Sequence, residues 1–255
     1  MLKATGTLLL VIFLGSVAVL SLRSFAKINK GDRVAAARAK CEPALRKLCS
    51  DASLAYPPRE LFLRVFKLEQ RLEVWARDTG PFTKLKSYPF TATSGQLGPK
   101  RREGDLQIPE GFYVIDRFNP KSSYHLSLRV NYPNASDLIL SDPKLPGSDI
   151  YIHGSNLSIG CVAVGDAEIE EVYVLCADVK TGGQAQIPVH IYPAAFDGAQ
   201  WAAFRKDEAE IFARHQQFWQ PLEAAYRSFE KTRRIPAHRV EASGAYVVEA
   251  ATPAP

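Results

Sequence analysis

The stretch His153-Gly154-Ser155-Asn156-Leu157-Ser158-Ile159-Gly160-Cys161 sets an imidazole and a thiol a short loop apart, with small residues on both sides. A cysteine becomes a useful nucleophile when a neighbour lowers its pKa or takes its proton, and a histidine is the usual agent. Gly160, directly before the cysteine, lets a substrate approach the backbone, whose N–H groups can then meet an oxyanion. The bland alternative for Cys161 is a small buried hydrophobe. A zinc site is not expected, because one His and one Cys leave the ligand count short and no other cluster has metal spacing.

Such a pair needs a frame. Leu61, Leu63, Val65 and Lys67 alternate with other side chains, and Leu72, Val74 and Ala76 repeat the pattern after Gln70-Arg71. That spacing predicts a hairpin, followed by a turn at Asp78-Thr79-Gly80-Pro81. Further strands are expected over 84–92, 112–118, 124–130 and 187–191, and a short one over 149–153 delivers His153 at its end. Residues 95–111, rich in Gly, Pro and charge, read as a long functional loop. Asp166 reads as the N-cap of a helix in which Ile169, Val172, Tyr173 and Cys176 share a face until Gly182-Gly183, so Cys176 is assigned to the core. From Ala199 an aromatic stripe that includes Trp201, Phe204, Phe212, Phe218, Trp219, Tyr226 and Phe229 predicts a helix docked on the core, with His215 on the same face. Pro221 is expected to kink or divide it.

The chain has 255 residues, enough for one sizeable domain plus appendages. Lys and Arg number 32 against 27 Asp and Glu. The excess is scattered, with no dense basic run interleaved with aromatics, so nucleic acid is not an expected partner. No charge lies between Lys3 and Arg23, and residues 8–20 are almost wholly apolar. A stretch of about 19 uncharged residues is long enough to span a bilayer and exceeds a typical signal-peptide core, which favours an uncleaved anchor over a cleaved signal. Either implies export, where disulfides persist. Cys41 and Cys49 are the close pair. On one unbroken helix they would stand roughly 12 Å apart, too far for a bridge that needs Cα atoms within about 7 Å. A new helix begun at Pro43 would bring them together, so the pairing stays open.

Beside these readings stands a resemblance. The hairpin Arg64-Val65-Phe66-Lys67-Leu68-Glu69 to Val74-Trp75-Ala76-Arg77-Asp78, the Pro109-Glu110-Gly111-Phe112-Tyr113 segment, and Ile152-His153-Gly154 followed by Ser158-Ile159-Gly160-Cys161 occur in order over roughly residues 60–192. The chain resembles the YkuD-type L,D-transpeptidase catalytic domain, and its YafK-like branch most. That resemblance implies a mainly β fold, a β-sandwich with peripheral helices, here joined to an N-terminal membrane helix and a C-terminal helical extension. It implies a Cys161 thiolate that attacks a peptidoglycan stem peptide and His153 as general base. The Gly154 carbonyl would orient the imidazole, and the Gly160 and Cys161 N–H groups would hold the oxyanion. No cofactor is implied.

Departures accompany the match. Ile159 stands where the family commonly has His, and Ala163 follows Val162 where it has Arg, which removes a group that could hold a substrate carboxylate. Ser158, Arg101 and Arg102 are the substrate-binding candidates, with Lys100 beside them; a solvated basic loop is the alternative for the three basic residues. His125, placed on a strand, is assigned a structural role first. The expected layout is an anchor or signal over 1–30, a helical linker over 31–58, the catalytic domain over 59–194, a helical extension over 195–235 and a tail over 236–255. The expected function is a periplasmic, inner-membrane-tethered L,D-transpeptidase in cell-wall cross-linking or remodelling. A Cys hydrolase of the same fold, which releases a stem residue or a wall-linked lipoprotein, is the alternative, and a non-catalytic envelope-binding module is a third class.

Overall fold

In the structure, a computed structural model that describes residues 32–249, strand β1 (Glu60–Phe66) is buried on both faces, and this sets the architecture. Side chains alternate across a strand. Leu61, Leu63 and Val65 enter the main core, whereas Phe62 and Phe66 join aromatic clusters on the opposite side. Arg64 follows them there, its guanidinium 4.8–5.8 Å from the rings of Phe66, Trp75, Tyr192, Tyr226 and Phe229.

The other elements of the sheet are β2 (Arg71–Arg77), β3 (Thr83–Pro89), β4 (Gly111–Asn119), β5 (Ser127–Val130), β6 (Tyr151–His153), β7 (Val162–Ala163) and β8 (Ile187–Tyr192). They form one eight-stranded mixed sheet in the order β3-β2-β1-β8-β4-β5-β6-β7, with β1–β8 and β6–β7 parallel. The expectation of a sandwich of two sheets is thereby refined: the sheet curls on itself. Its two edges touch where Ala92, beyond β3, bridges Ala163 of β7, and Thr91 N donates to Ala163 O at 2.9 Å.

Helix α1 (Arg33–Asp51) begins at an Asp32 cap that accepts from Val34 N and Ala35 N. Its buried stripe of Ala37, Cys41, Leu45 and Cys49 packs on a helix with which it exchanges the ion pair Lys40–Glu170 at 2.6 Å. Pro43 sits on the solvent side of α1 and does not divide it. Cys41 and Cys49 are therefore two turns apart on one helix, both buried and both free. Between β5 and β6 lies the short α2 (Ala135–Leu140), and α3 (Asp166–Thr181) follows β7. Helix α3 is the element under α1 and lies against β1, β5 and β6; Cys176 is in its buried face.

The opposite face is covered by α4 (Ala199–Asp207) and α5 (Ala209–Thr232). The break expected at Pro221 falls instead at Glu208, which folds the aromatic stripe back so that Trp201 meets Trp219 edge-on at 5.3 Å. Residues 236–249, expected as tail, form a hairpin of β9 (His238–Val240) and β10 (Tyr246–Val248). Buried Tyr246 anchors it through a bond from Asn134 Nδ2 to its hydroxyl at 2.7 Å. The expected membrane segment of residues 1–30 lies outside the described residues, and among the described residues no helix is long and apolar enough to cross a membrane.

One buried ion pair joins these layers. Lys67 Nζ lies 2.9 Å from Glu110 Oε1 and donates to the carbonyls of Gly98 and Ile108 at 2.7 and 2.9 Å. Glu110, fully buried, also accepts from Gly98 N at 2.8 Å and Trp219 Nε1 at 2.6 Å. Burial pushes the Lys67 ammonium pKa down, against the pull of Glu110. Glu110→Ala strands that ammonium without its counter-charge, so urea unfolding is expected to register a loss of about 3–5 kcal/mol; a loss below about 1 kcal/mol would contradict the assignment.

Candidate active site

His153 ends β6, and the parallel register pairs Ile152 with Val162 and His153 with Ala163. Cys161 therefore lies beside Tyr151, on the same sheet face as His153 two residues on. Tyr151 N donates to Cys161 Sγ at 3.4 Å, and the thiol reaches toward Asp149 O at 3.8 Å. His153 and Cys161 both line a cleft of about 520 Å³.

The imidazole is oriented from behind. His153 Nδ1 lies 2.5 Å from Gly154 O. A carbonyl oxygen only accepts, so Nδ1 carries the proton and Nε2 presents a lone pair. The turn that aims this carbonyl is held on several sides. Gly154 N donates to the carbonyls of Tyr124 and Leu126, and Ser155, at φ +68°, donates its N–H to Asp166 Oδ1 at 2.7 Å. A Cβ on Gly154 would stand 2.5 Å from that same Asp166 oxygen and 3.0 Å from Tyr124 O, so a side chain there would push the carboxylate off the turn it holds. Asp166 is thus not the helix cap read from the sequence. Gly165 occupies the cap without a side-chain bond, and Asp166, first residue of α3, spends its carboxylate on the turn after His153. The Tyr124 ring covers the imidazole, centroids 4.8 Å apart.

Burial sets the charge state. His153 is 2 % exposed, and desolvation holds its pKa below the ordinary 6.5, opposed by the bond to Gly154. Burial pushes the Cys161 thiol above its ordinary 9.0; the Tyr151 N–H opposes this, the Asp149 charge adds to it and Lys100 opposes it. Both shifts favour neutral forms, so the resting pair is thiol and imidazole rather than thiolate and imidazolium.

The L,D-transpeptidase catalytic domain family, YkuD, matches residues 62–191. The chain belongs to that family. It is 32% identical over 194 residues to YafK of Escherichia coli (strain K12), whose name assigns it to the L,D-transpeptidases, covering 74% of this chain and 73% of that one. Among solved structures it is similar to the helical cell shape determining protein Pgp2 from Campylobacter jejuni, at 18% identity and TM-score 0.43 over 72% of this chain and 73% of that one. L,D-transpeptidase 1 of Mycobacterium tuberculosis is also similar, at 13% identity and TM-score 0.30, covering 52% and 61%.

The other residues singled out in this L,D-transpeptidase domain divide sharply. Ser158 braces the loop: its hydroxyl donates to Cys161 O at 2.8 Å and accepts from Gly160 N at 3.2 Å. Gly160 needs its freedom, with φ +126° and Gln107 O only 3.0 Å from where a Cβ would sit. Lys100 lines the cleft, yet its ammonium is tied to Asp105 at 2.6 Å and Arg102 O at 2.9 Å. Neither Arg101 nor Arg102 is among the residues that line the cleft. Arg101 turns to Asp137 at 3.3 Å, and Arg102 bonds through its backbone to Asp105. Ile159 is 76 % exposed at the cleft mouth, whereas Ala163 is sealed between β6 and Ala92. His125 is not on a strand; it precedes β5 at φ +70° and its Nε2 meets Glu170 Oε1 at 2.8 Å. His215 packs beside Trp219. Sequence reasoning missed Tyr124, Asp149 and Tyr151, which carry no motif: Tyr151 reaches the site in β6, Tyr124 from the turn before β5 and Asp149 from the segment before β6.

A neutral resting thiol makes a direct prediction. Alkylation of Cys161 by iodoacetamide, followed by mass spectrometry to separate it from the three buried cysteines, is expected to be slow at pH 7 and to keep rising past pH 9. A plateau near neutral pH would reveal a thiolate–imidazolium pair instead.

Proposed function

We propose that this chain is a peptidoglycan L,D-transpeptidase working through a Cys161 acyl-enzyme. The observation that carries the reading is the bond from His153 Nδ1 to Gly154 O, which leaves Nε2 as the base in a cleft that also holds Cys161. His153 Nε2 takes the thiol proton as Sγ attacks the carbonyl of the diaminopimelate residue in a tetrapeptide stem. The Cys161 N–H receives the developing oxyanion; the Gly160 N–H already serves Ser158. Collapse of the tetrahedral intermediate breaks the bond to the terminal D-Ala, whose amine leaves with the proton from His153. An acceptor amine, deprotonated by the same imidazole, then attacks the thioester, forms the cross-link and restores the thiol. The uncharged stretch over residues 4–22 supports a site of action in the periplasm, with the domain tethered to the inner membrane.

A second reading keeps the acyl-enzyme and replaces the acceptor amine with water, releasing a stem residue or a wall-linked lipoprotein. It is favoured by Ile159 and Ala163, which stand where the family commonly has His and Arg. The exposed Ile159 offers an acceptor no hydrogen bond at the cleft mouth.

Incubating the protein with disaccharide-tetrapeptide, with and without an amine acceptor, and reading the products by mass spectrometry separates the readings. Cross-linked dimers mark transfer, loss of a residue without dimers marks hydrolysis, and no turnover sinks both. Cys161→Ala is expected to abolish either activity with the fold intact, and His153→Ala to lower kcat by about 10²–10⁴-fold. Because the base must be neutral, kcat/KM is expected to rise with pH through an acid limb below 6.5; a limb above pH 7 would contradict the burial argument.

A further inference from the structure

Consecutive residues of one loop line two different cavities. Lys100 faces the catalytic cleft, and Arg101 lines a separate cavity of about 380 Å³ that shares no lining residue with it. The second cavity is cationic on one side and apolar on the other. Arg101 uses only Nη1, on Lys100 O at 3.2 Å and Asp137 Oδ1 at 3.3 Å, while its plane lies 4.9 Å over the Phe218 ring. Among the described residues, its Nε and Nη2 have no hydrogen-bond acceptor, and Arg214, from α5, has no ion-pair or hydrogen-bond partner at all. No carboxylate lines the cavity among the described residues. The His215 imidazole also lines the cavity; burial pushes its pKa below the ordinary value, and Arg214, Lys67 and Arg101 push it further down, against Glu110. Leu140 and Tyr246 complete the apolar wall with Phe218.

The Arg101 donor is already positioned, whereas Arg214 is exposed at the cavity edge. Asp105 grips the loop at Lys100 Nζ and at Arg101 N, at 2.6 and 2.8 Å, and Asp137 and Phe218 fix the Arg101 plane. Planar guanidinium forks match carboxylates and phosphates in two parallel bonds. The adjoining apolar wall and the volume suit an organic anion better than a bare inorganic one.

We propose that this cavity binds the carboxylate end of a peptide, with Arg101 and Arg214 on the carboxylate and Leu140, Phe218 and Tyr246 against the neighbouring side chain. The site stands apart from the proposed chemistry, since it uses no residue of the catalytic pair. The test is calorimetric titration of the full chain, its Cys161 capped with iodoacetamide, with N-acetyl-alanyl-alanine, with the same peptide as its C-terminal amide, and with inorganic phosphate. Saturable binding of the acid that survives capping is expected, weakened about tenfold or more by amidation and by Arg214→Glu. Arg101→Lys, which keeps a charge beside Asp137, is expected to weaken it severalfold through loss of the fork. The proposal is overturned if the acid fails to bind at millimolar concentration, if capping abolishes binding, or if amide and Arg214→Glu match the parent. Phosphate binding as tightly as the peptide would overturn the peptide assignment, leaving a site that reads charge alone.

Discussion

A buried ammonium and a buried carboxylate hold this molecule together where its layers meet. Lys67 follows β1, Glu110 precedes β4, Gly98 belongs to the long loop and Trp219 comes from α5; all four converge on one bonded cluster. Charges withdrawn from water are tolerated only with opposite charge and full hydrogen bonding, so the cluster fixes how these four segments approach. The consequence for function is indirect but firm. The 99–106 loop forms one wall of the cleft that holds His153 and Cys161, and its root at Gly98 is bonded to both members of the ion pair.

The same logic of satisfied polar groups shapes the site. The carbonyl of Gly154 is aimed at His153 by a turn in which Asp166 takes the next N–H and crowds the position a Cβ on 154 would occupy. A helix N-terminus, by position a favourable place for a carboxylate, here supplies that carboxylate to a strand end. Burial then withholds charge from both members of the pair, so in the proposed mechanism the proton transfer that makes the nucleophile waits for the encounter with substrate. The closure of the sheet at Ala92–Ala163 places this arrangement where the two edges meet, which gives a two-stranded edge support it would otherwise lack.

Several readings shifted for reasons visible in the packing. The α5 helix passes through Pro221 unbroken because Trp219, Leu222, Ala225 and Tyr226 are buried on either side of it, and the break moves to Glu208. The aligned stripe of α1 on α3 likewise carries that helix past Pro43. The C-terminal hairpin forms because Tyr246 packs on Phe112 and bonds to Asn134, contacts at a distance of more than a hundred residues. Arg101, a basic residue beside a motif, reads locally as a ligand for the cleft substrate; the loop turns it the other way.

By itself the sequence determined the strand pattern of the first hairpin, the helical stripes, the separation of Cys161 from Cys176 in the core, and the order of motifs that marks an L,D-transpeptidase domain. Those are properties of period, residue type and spacing, which a linear chain carries. Tertiary structure alone decided that both faces of β1 are covered, that the sheet closes on itself, that Asp166 serves the turn rather than its own helix, and that Lys100 and Arg101 face different cavities. These depend on register and on contacts between distant segments, where the competition for burial and hydrogen bonds is settled by partners that local sequence does not name.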